Sequence, residues 1–355
     1  MNSTANETLR SNLSQCINHG NYPMIDSMVT VLKISIFLFA FAVSIIGNLS
    51  ISYIVIRTRR LWTYTNIMMV NYSAVTILSV ISTLLQFISD FSYNSTWPFG
   101  EFLCKITHST FIVAVIVSAF SIILMCYARF CAFCTPLQAQ PNRRQAVYCI
   151  IVIWITGISY MLPYTIILTV KKYGVSSYCI LYPLPGINSI RAVYDFSLFF
   201  FTYTVPIVIV AFFNIQILRN INDLSIDSVS SGQGESSDGL RCHQRVRRID
   251  QVKLKLRKMS FAIFIVYLMV WLPFWIYVIL INTKLMELIT IAYSKYDCHM
   301  RSKILMIRVL TKYLTCFDSV ANIFICYFYN PPFNIAMKSI LCFKSRKQRI
   351  IPVNI

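Results

Sequence analysis

A nearly uncharged stretch from Ile106 to Ala128 constrains this chain most, because it is long enough to cross a lipid bilayer. A membrane helix needs about 20 apolar residues. Similar stretches recur, and they predict seven spans at roughly 29–56, 65–91, 104–134, 147–170, 194–218, 259–282 and 303–329. Only 13% of the residues are charged, whereas soluble domains average about 25%. We therefore predict an all-α membrane protein with a bundle of seven transmembrane helices.

The charged residues lie between the apolar spans and indicate how the chain is oriented. The net charge of +19 is concentrated after the first span, before the fourth, before the sixth and after the seventh. These segments include Arg57, Arg59, Arg60, Arg143, Arg144, Arg247, Arg248, Lys344, Arg346 and Lys347. Lys and Arg concentrate on the cytoplasmic side of membrane proteins. We predict that all four segments are cytoplasmic and contact membrane lipids, and that nucleic acid is not a partner.

Glycosylation sequons predict that the amino-terminal tail is extracellular. Three lie in residues 1–28 and a fourth lies between the second and third spans, at Asn2, Asn6, Asn12 and Asn94. No cleavable signal peptide is evident. On this interpretation residues 29–329 form the transmembrane domain and 330–355 form the cytoplasmic end. A segment rich in Ser, Asp and Gly, about 221–252, is predicted to be a flexible cytoplasmic loop.

The third span carries a motif that can be matched to a known family. Arg129 closes the span, Cys104 opens it 25 residues earlier, and Pro136-Leu137 begins seven residues after the Arg. This pattern resembles the third helix of rhodopsin-like (class A) G-protein-coupled receptors. Further family positions follow in order in the other spans, at Gly47-Asn48, Trp154, Pro206, Trp271-Leu272-Pro273-Phe274, Asn322 and Phe333. The resemblance implies a plasma-membrane receptor with a short amphipathic eighth helix, a heterotrimeric G protein as partner, and arrestin as a further one.

The resemblance also implies a conformational switch formed by Arg129, Trp271, Pro273, Asn322 and Asp318. Proline kinks a helix, so Pro273, two residues after Trp271, can act as a pivot near the middle of the membrane. Several family positions are altered, with Thr76, Ala128, Phe130, Asn214, Lys253, Ile323 and Cys326 replacing the usual residues. Asp318 is an unusual intramembrane acid. We expect it to replace a missing carboxylate in part or to hydrogen-bond to Ser118 or Asn48.

Four of the 12 cysteines lie on the predicted outer side, which allows three pairings. The resemblance selects Cys104–Cys179 and leaves Cys16–Cys298 as a second bridge. Cys342 follows the predicted eighth helix among basic residues and is a palmitoylation candidate.

Several ligand classes are disfavoured by the residues that occupy family positions. Phe111 stands where amine receptors carry Asp, and no Lys lies between Thr315 and Tyr329 for retinal. The Trp97-Pro98-Phe99-Gly100 loop and two outer disulfides resemble those of peptide receptors. We therefore predict an extracellular peptide ligand in an aromatic-lined cavity with polar groups at its rim. The candidate contacts are Phe111, Trp271, Phe274, Trp275, Arg308 and Asp195, with further rim contacts from Asp90, Glu101 and Lys105.

Other functional classes find less support in the sequence. The four His do not form a metal-binding motif and no Gly-rich phosphate loop occurs, so we predict neither an enzyme nor a metal or cofactor site. A channel or transporter is expected to line its path with intramembrane charges, and the spans contain few. A scavenging or decoy receptor without G-protein coupling stays open, because Ala128, Asn214 and Cys326 alter the coupling motifs.

Overall fold

A computed structural model describes residues 27–92, 96–135, 140–182, 186–230, 237–282, 307 and 309–341. Within this part of the chain seven helices are long and apolar enough to cross a membrane, which confirms the predicted number. They are α1 (Ser27–Arg57), α2 (Tyr64–Ser92), α3 (Gly100–Cys134), α4 (Arg143–Ile167), α5, α6 (Ser237–Ile281) and α7. α5 joins Ile187–Phe199, the π-helical Phe200–Thr204 and Val205–Ser230. α7 covers Val309–Tyr329, with a turn at Thr315 before the helix Cys316–Tyr329.

Several predicted residues lie outside the described part of the chain, so the predictions for them stand as they are. They are Asn2, Asn6, Asn12, Cys16, Asn94, Cys298, Arg308 and Cys342.

α3 lies at the centre of the bundle and contacts α2, α4 and α5. Small and β-branched side chains fill its buried faces, among them Ala114, Val117 and Ala119. Small residues allow membrane helices to approach closely. Large apolar side chains on the outside of the bundle are exposed, such as Phe39 and Tyr148. This inside-out pattern is expected where lipid surrounds the helices, and the protein is a multi-pass membrane protein.

A capping box fixes the start of α4 four residues before the predicted boundary. The Asn142 side chain accepts from the Gln145 N–H at 3.0 Å, and the Gln145 side chain accepts from the Asn142 N–H at 2.8 Å. Each bond satisfies a backbone donor that has no partner within the helix. The fourth span therefore begins among charged residues at the membrane edge.

A β-hairpin follows α4 and corrects the predicted end of the fourth span, because the helix stops at Ile167. Strand β1 (Leu168–Tyr173) pairs antiparallel with β2 (Ser176–Leu181), and Val170 lies opposite Cys179. The turn contains Gly174 at φ 62°, a conformation that favours glycine. The structure contains the predicted Cys104–Cys179 disulfide, which ties this hairpin to α3.

The predicted flexible loop at 221–252 is shorter in the structure. α5 continues to Ser230 and α6 begins at Ser237, so residues 221–230 and 237–252 are helical. The loop prediction used the lack of apolar periodicity, but periodicity reports a buried face rather than helicity itself. Two of the three glycines in this segment, Gly232 and Gly234, fall between the two helices in the sequence, and Gly239 lies in the first turn of α6.

The eighth helix, α8 (Pro331–Leu341), is present as predicted. Pro331 occupies the first helical position, where its missing N–H costs nothing. The Asn330 side chain accepts from the Phe333 N–H at 3.3 Å and caps the helix. Phe333 and Ala336 are buried while Lys338 is exposed, so the helix is amphipathic.

Candidate ligand-binding and switch site

The predicted aromatic residues of α3 and α6 form one cluster. The Phe274 ring centroid lies 6.4 Å from Phe111, 6.1 Å from Trp271 and 5.2 Å from Trp275, each pair edge to face. Such pairs stabilise packing beyond the area that they bury. Phe274 thus connects α3 with both tryptophans of α6.

Trp275, which was predicted to contact the ligand, is a buried packing residue. Its side chain is almost fully buried and packs on Phe199 and Tyr203 of α5, at centroid distances of 5.6 Å and 6.4 Å. Trp275 follows Trp271 by four residues, so both share the inward face of α6. Trp275 therefore packs between Phe274 of the cluster and the two α5 rings.

The predicted polar rim residues are distributed around the outer ends of several helices. Asp195 accepts from the Asn282 amide at 3.0 Å and pairs with Arg191 at 3.6 Å, which links α5 to α6. Asp90 of α2 accepts from the Tyr313 hydroxyl of α7 at 2.7 Å. Glu101 and Lys105 form an exposed ion pair 3.0 Å long along α3. The structure does not bring these acids together at one point.

Asp318 in α7 forms the polar centre of the bundle, with partners other than those predicted. Its Oδ2 accepts from the Tyr72 hydroxyl at 2.7 Å and from Trp271 Nε1–H at 3.3 Å. Ser118 instead donates to the Val115 carbonyl, and the Asn48 amide donates to the Ser44 carbonyl. Asp318 therefore joins α2, α6 and α7.

A cavity of about 30 Å³ adjoins Asp318 and has room for a water molecule. Its polar lining includes Tyr72, Thr76, Ser118, Asp318 and Ser319. Sequence reasoning singled out Thr76 and Asp318 but missed Tyr72. The sequence spacing could have identified Tyr72, because it lies one helical turn before Thr76 on the same face of α2.

A second polar link joins α2, α3 and α4 and gives Trp154 a structural role. Trp154 Nε1–H donates to the Asn71 side-chain oxygen at 2.9 Å, and the Asn71 amide donates to the Ser121 hydroxyl at 3.0 Å. Both Asn71 and Ser121 are buried. These bonds fix the rotation of α4 against the two central helices.

Arg129 lies at the other end of α3, and its side chain is 5% exposed. Within the described residues its Nε and Nη1 atoms have no hydrogen-bond partner. Asn214 donates to the Val210 carbonyl of its own helix at 2.9 Å, and the Cys326 thiol donates to Asn322 Oδ1 at 3.7 Å. Neither replacement residue hydrogen-bonds to Arg129, and the Lys253 side chain lies outside the described residues.

Pro273 and Trp271 complete the switch residues within α6. Pro273 lies inside the helix, which continues to Ile281. Because proline has no N–H, the Met269 carbonyl four residues earlier loses its usual helical donor. Trp271, between them in sequence, contacts Phe274 above and Asp318 on α7.

Cys104, His108 and Cys179 also lie close together beneath the hairpin, in a group with metal-ligating atoms. Both sulfurs belong to the disulfide, whereas a metal is ligated by the thiolate form of cysteine. This group is therefore a structural one.

The seven-helix arrangement and the switch positions agree with the sequence match. Residues 47–325 match the family described as 7 transmembrane receptor (rhodopsin family). The chain belongs to this family. The match covers all seven spans except part of α1 and the end of α7, so the fold and its family rest on nearly the whole transmembrane domain.

The receptor is similar to several peptide receptors. It is 23% identical over 338 residues to neuropeptide FF receptor 1 of Rattus norvegicus, covering 92% of this chain and 73% of the relative. It is 30% identical over 263 residues to the RYamide receptor of Drosophila melanogaster, covering 72% and 53%. It is 26% identical over 245 residues to the tachykinin-like peptides receptor 99D of Drosophila melanogaster, covering 66% and 44%. The matched region thus spans about half the length of the two Drosophila relatives.

Proposed function

We propose that this receptor binds an extracellular peptide at the plasma membrane and transmits binding to a cytoplasmic heterotrimeric G protein. One observation carries the proposal: Trp271 contacts the aromatic cluster through Phe274 and donates to Asp318 of α7. A single side chain therefore joins the outer cluster to the polar centre of the bundle. The names of the similar receptors support a peptide as the ligand.

Ligand contact at Phe111 or Phe274 changes the packing around Trp271. The indole then moves relative to Asp318, and the missing backbone bond at Pro273 allows α6 to bend at this level. Bending of α6 alters its packing on α3 near Arg129. The buried guanidinium has N–H donors to offer to carbonyl groups of a G-protein segment that enters from the cytoplasm.

The further parts of the proposal concern the two faces of the membrane. The tail with Asn2, Asn6 and Asn12 lies outside and is glycosylated, as is Asn94. A second bridge, Cys16–Cys298, anchors this tail, while Arg308 and Asp195 contribute polar contacts to the peptide. On the inside, the end of the chain contacts lipid through palmitoylated Cys342, and the activated receptor binds arrestin.

The test measures G-protein dissociation in cells that express the receptor, during exposure to a panel of tachykinin-like, RYamide and neuropeptide FF peptides. We expect at least one peptide to cause dissociation, and Trp271→Phe to weaken the response because it removes the donor to Asp318. Surface expression of both forms is matched by an extracellular tag. Peptide uptake without dissociation would identify a scavenging receptor, and a peptide-gated current without dissociation would identify a channel.

A further inference from the structure

Lys312 and Gln86 lie beside the aromatic cluster and have no part in the switch. Lys312 of α7 donates from Nζ to Gln86 Oε1 of α2. The same Nζ lies 6.0 Å from the centroid of the Phe111 ring. Three helices thus place an ammonium group, an amide and an aromatic face at one point next to the predicted ligand contacts.

The direction of the Gln86 amide follows from this contact. An ammonium group has donors only, so the amide must turn its oxygen towards Lys312 and its NH₂ away. Gln86 is 4% exposed, and its Nε2 has no acceptor within the described residues. A buried donor without an acceptor costs free energy, so the site favours a group that supplies an acceptor oxygen.

The neighbouring residues fix what kind of group this is. The Lys312 ammonium attracts an anion, and the Phe111 face adds an apolar wall on one side. Asp90, one turn further along α2, is engaged by the Tyr313 hydroxyl at 2.7 Å. A carboxylate has two oxygens, one for the ammonium and one for the amide donor.

We propose that Lys312 and Gln86 form a carboxylate-binding subsite that selects a peptide ligand with an acidic group next to an apolar residue. This inference rests on the proposed function and deepens it. The acid is either the free carboxylate at the carboxyl terminus of the peptide or an Asp or Glu side chain. A peptide with a carboxamide at that position, which includes RYamide peptides if their carboxyl terminus lies here, lacks the negative charge and binds more weakly than the same peptide with a carboxylate there.

The test uses the purified full-length receptor and matched small probes, with binding measured by ligand-observed NMR. N-acetyl-phenylalanine is compared with its amide to represent a carboxyl terminus. N-acetyl-aspartate amide is compared with N-acetyl-asparagine amide to represent an acidic side chain. We expect the acid of at least one pair to bind about tenfold more tightly than the amide, because a charge-assisted bond replaces a neutral one. The pair that shows the preference identifies the source of the carboxylate.

Variants then assign the preference to this subsite. Lys312→Gln should abolish it, Lys312→Arg should retain most of it, and Gln86→Leu should reduce it. Empty detergent micelles report binding to the detergent. If Lys312→Gln does not fold, the acid–amide comparison on the unmodified receptor still decides.

Equal binding of acids and amides to the unmodified receptor, or the same preference in Lys312→Gln, would overturn the inference. Failure of the carboxylate subsite can be distinguished from failure of the proposed function, because the binding of the probes is measured without signalling. If a peptide causes G-protein dissociation but the receptor does not prefer acids to amides, only the carboxylate subsite is rejected. Acid preference without any peptide response contradicts the proposed function and leaves an anion site.

Discussion

At the scale of single residues, Asp318 accepts two hydrogen bonds from buried donors on two other helices. Asp318→Ala would leave the Tyr72 hydroxyl and the Trp271 N–H without an acceptor. Each such buried group costs about 1–3 kcal/mol, so the variant should lower the apparent melting temperature of the purified receptor. Asp318→Asn keeps one acceptor oxygen and should lower it less.

Tyr72→Phe is the matched control, because it removes one of the two donors and keeps the ring. It should cost less than Asp318→Ala, since Asp318 still accepts from Trp271. Equal melting temperatures for Asp318→Ala and the unmodified receptor would contradict the role of Asp318 as the polar centre of the bundle.

Ala128 determines a second prediction, on signalling without ligand. The family acid that holds the neighbouring Arg is missing here, and Arg129 Nε and Nη1 have no partner within the described residues. We expect raised basal signalling that Ala128→Asp lowers, since a restraint of about 1.4 kcal/mol shifts a two-state equilibrium about tenfold. Basal G-protein activity is measured at matched surface expression.

Ala128→Leu separates charge from size at this buried position. Only the acid should lower basal activity. An unchanged signal in Ala128→Asp, or silence in both forms, would argue against the prediction and favour a receptor that does not couple.

The residue scale also shows what sequence reasoning can reach. Asp318 is recognisable because an acid within an apolar span is rare. Its partners were not predictable, because they depend on how α2 and α6 rotate around their axes. The hydrophobic pattern of a helix shows which of its faces points inward, but it does not determine the rotation about the helix axis precisely. The hydrogen bond between Asp318 and Tyr72 requires a specific rotation angle of α2.

At the scale of elements, α1 and α7 pack through a notch at Gly47. A Cβ atom there would lie 2.6 Å from Ile323 Cγ1 and closer still to Cδ1. Ile323 is β-branched and stiff in a helix, so it has little freedom to move. Gly47→Ala should therefore destabilise the receptor by about 1–3 kcal/mol through overpacking.

The effect of Gly47→Ala on stability should change from destabilising to stabilising when the Ile323 side chain is shortened. In an Ile323→Ala background the clash disappears, and Gly→Ala within a helix gains about 1 kcal/mol from its propensity. Thermal unfolding of the four forms in detergent checks this double-mutant cycle. A similar loss in both backgrounds would mean that Ile323 does not determine the need for glycine.

α5 and α6 are joined by two tyrosines that donate to backbone carbonyls in opposite directions. The Tyr267 hydroxyl of α6 donates to the Thr202 carbonyl, and the Tyr203 hydroxyl of α5 donates to the Leu268 carbonyl at 2.9 Å. Pro206 cannot supply an N–H to Thr202, so the Tyr267 bond replaces a missing helical one. Tyr267→Phe should cost about 1–3 kcal/mol, the penalty of an unpaired buried group.

Tyr203→Phe is the internal control for this prediction. Leu272, four residues after Leu268, has an N–H for the Leu268 carbonyl, so only the net value of one bond, about 0.5–1.5 kcal/mol, is lost. The measurement is the apparent melting temperature of each variant. A larger loss for Tyr203→Phe than for Tyr267→Phe would show that Pro206 does not explain the contact.

Element boundaries were predictable where a composition change marks them and not elsewhere. The seven spans were found because an apolar run must be long to cross a bilayer. The β-hairpin was missed because Leu168–Val170 continues the apolar run of α4, and the pairing of β1 depends on β2. The helical ends at Ser230 and Ser237 were missed because the sequence there has no apolar periodicity, and periodicity reports a buried face rather than helicity itself.

At the scale of the whole molecule, seven spans constrain the orientation of every loop. Because the described residues form an odd number of spans, the start of α1 and the end of α7 lie on opposite sides of the membrane. The segments after α1, before α4, before α6 and after α7 then share one side, and each contains basic residues. The span count therefore places the four basic segments on one side, and the positive-inside rule predicts, without knowledge of helix packing, that this side is cytoplasmic.

We expect the amino terminus outside and the carboxyl terminus inside the cell. Basic residues resist transfer across the membrane, so the side that holds the four basic segments becomes cytoplasmic. An epitope tag at the amino terminus should stain intact cells, and one at the carboxyl terminus should stain only after permeabilisation. Substitution of Asn2, Asn6 and Asn12 by Gln should remove a glycosidase-sensitive shift in the electrophoretic mobility of the receptor. This shift reports independently that the amino-terminal tail is extracellular. Staining of the carboxyl-terminal tag on intact cells would show that the predicted topology is wrong. The basic segments would then be extracellular and could not contact a G protein.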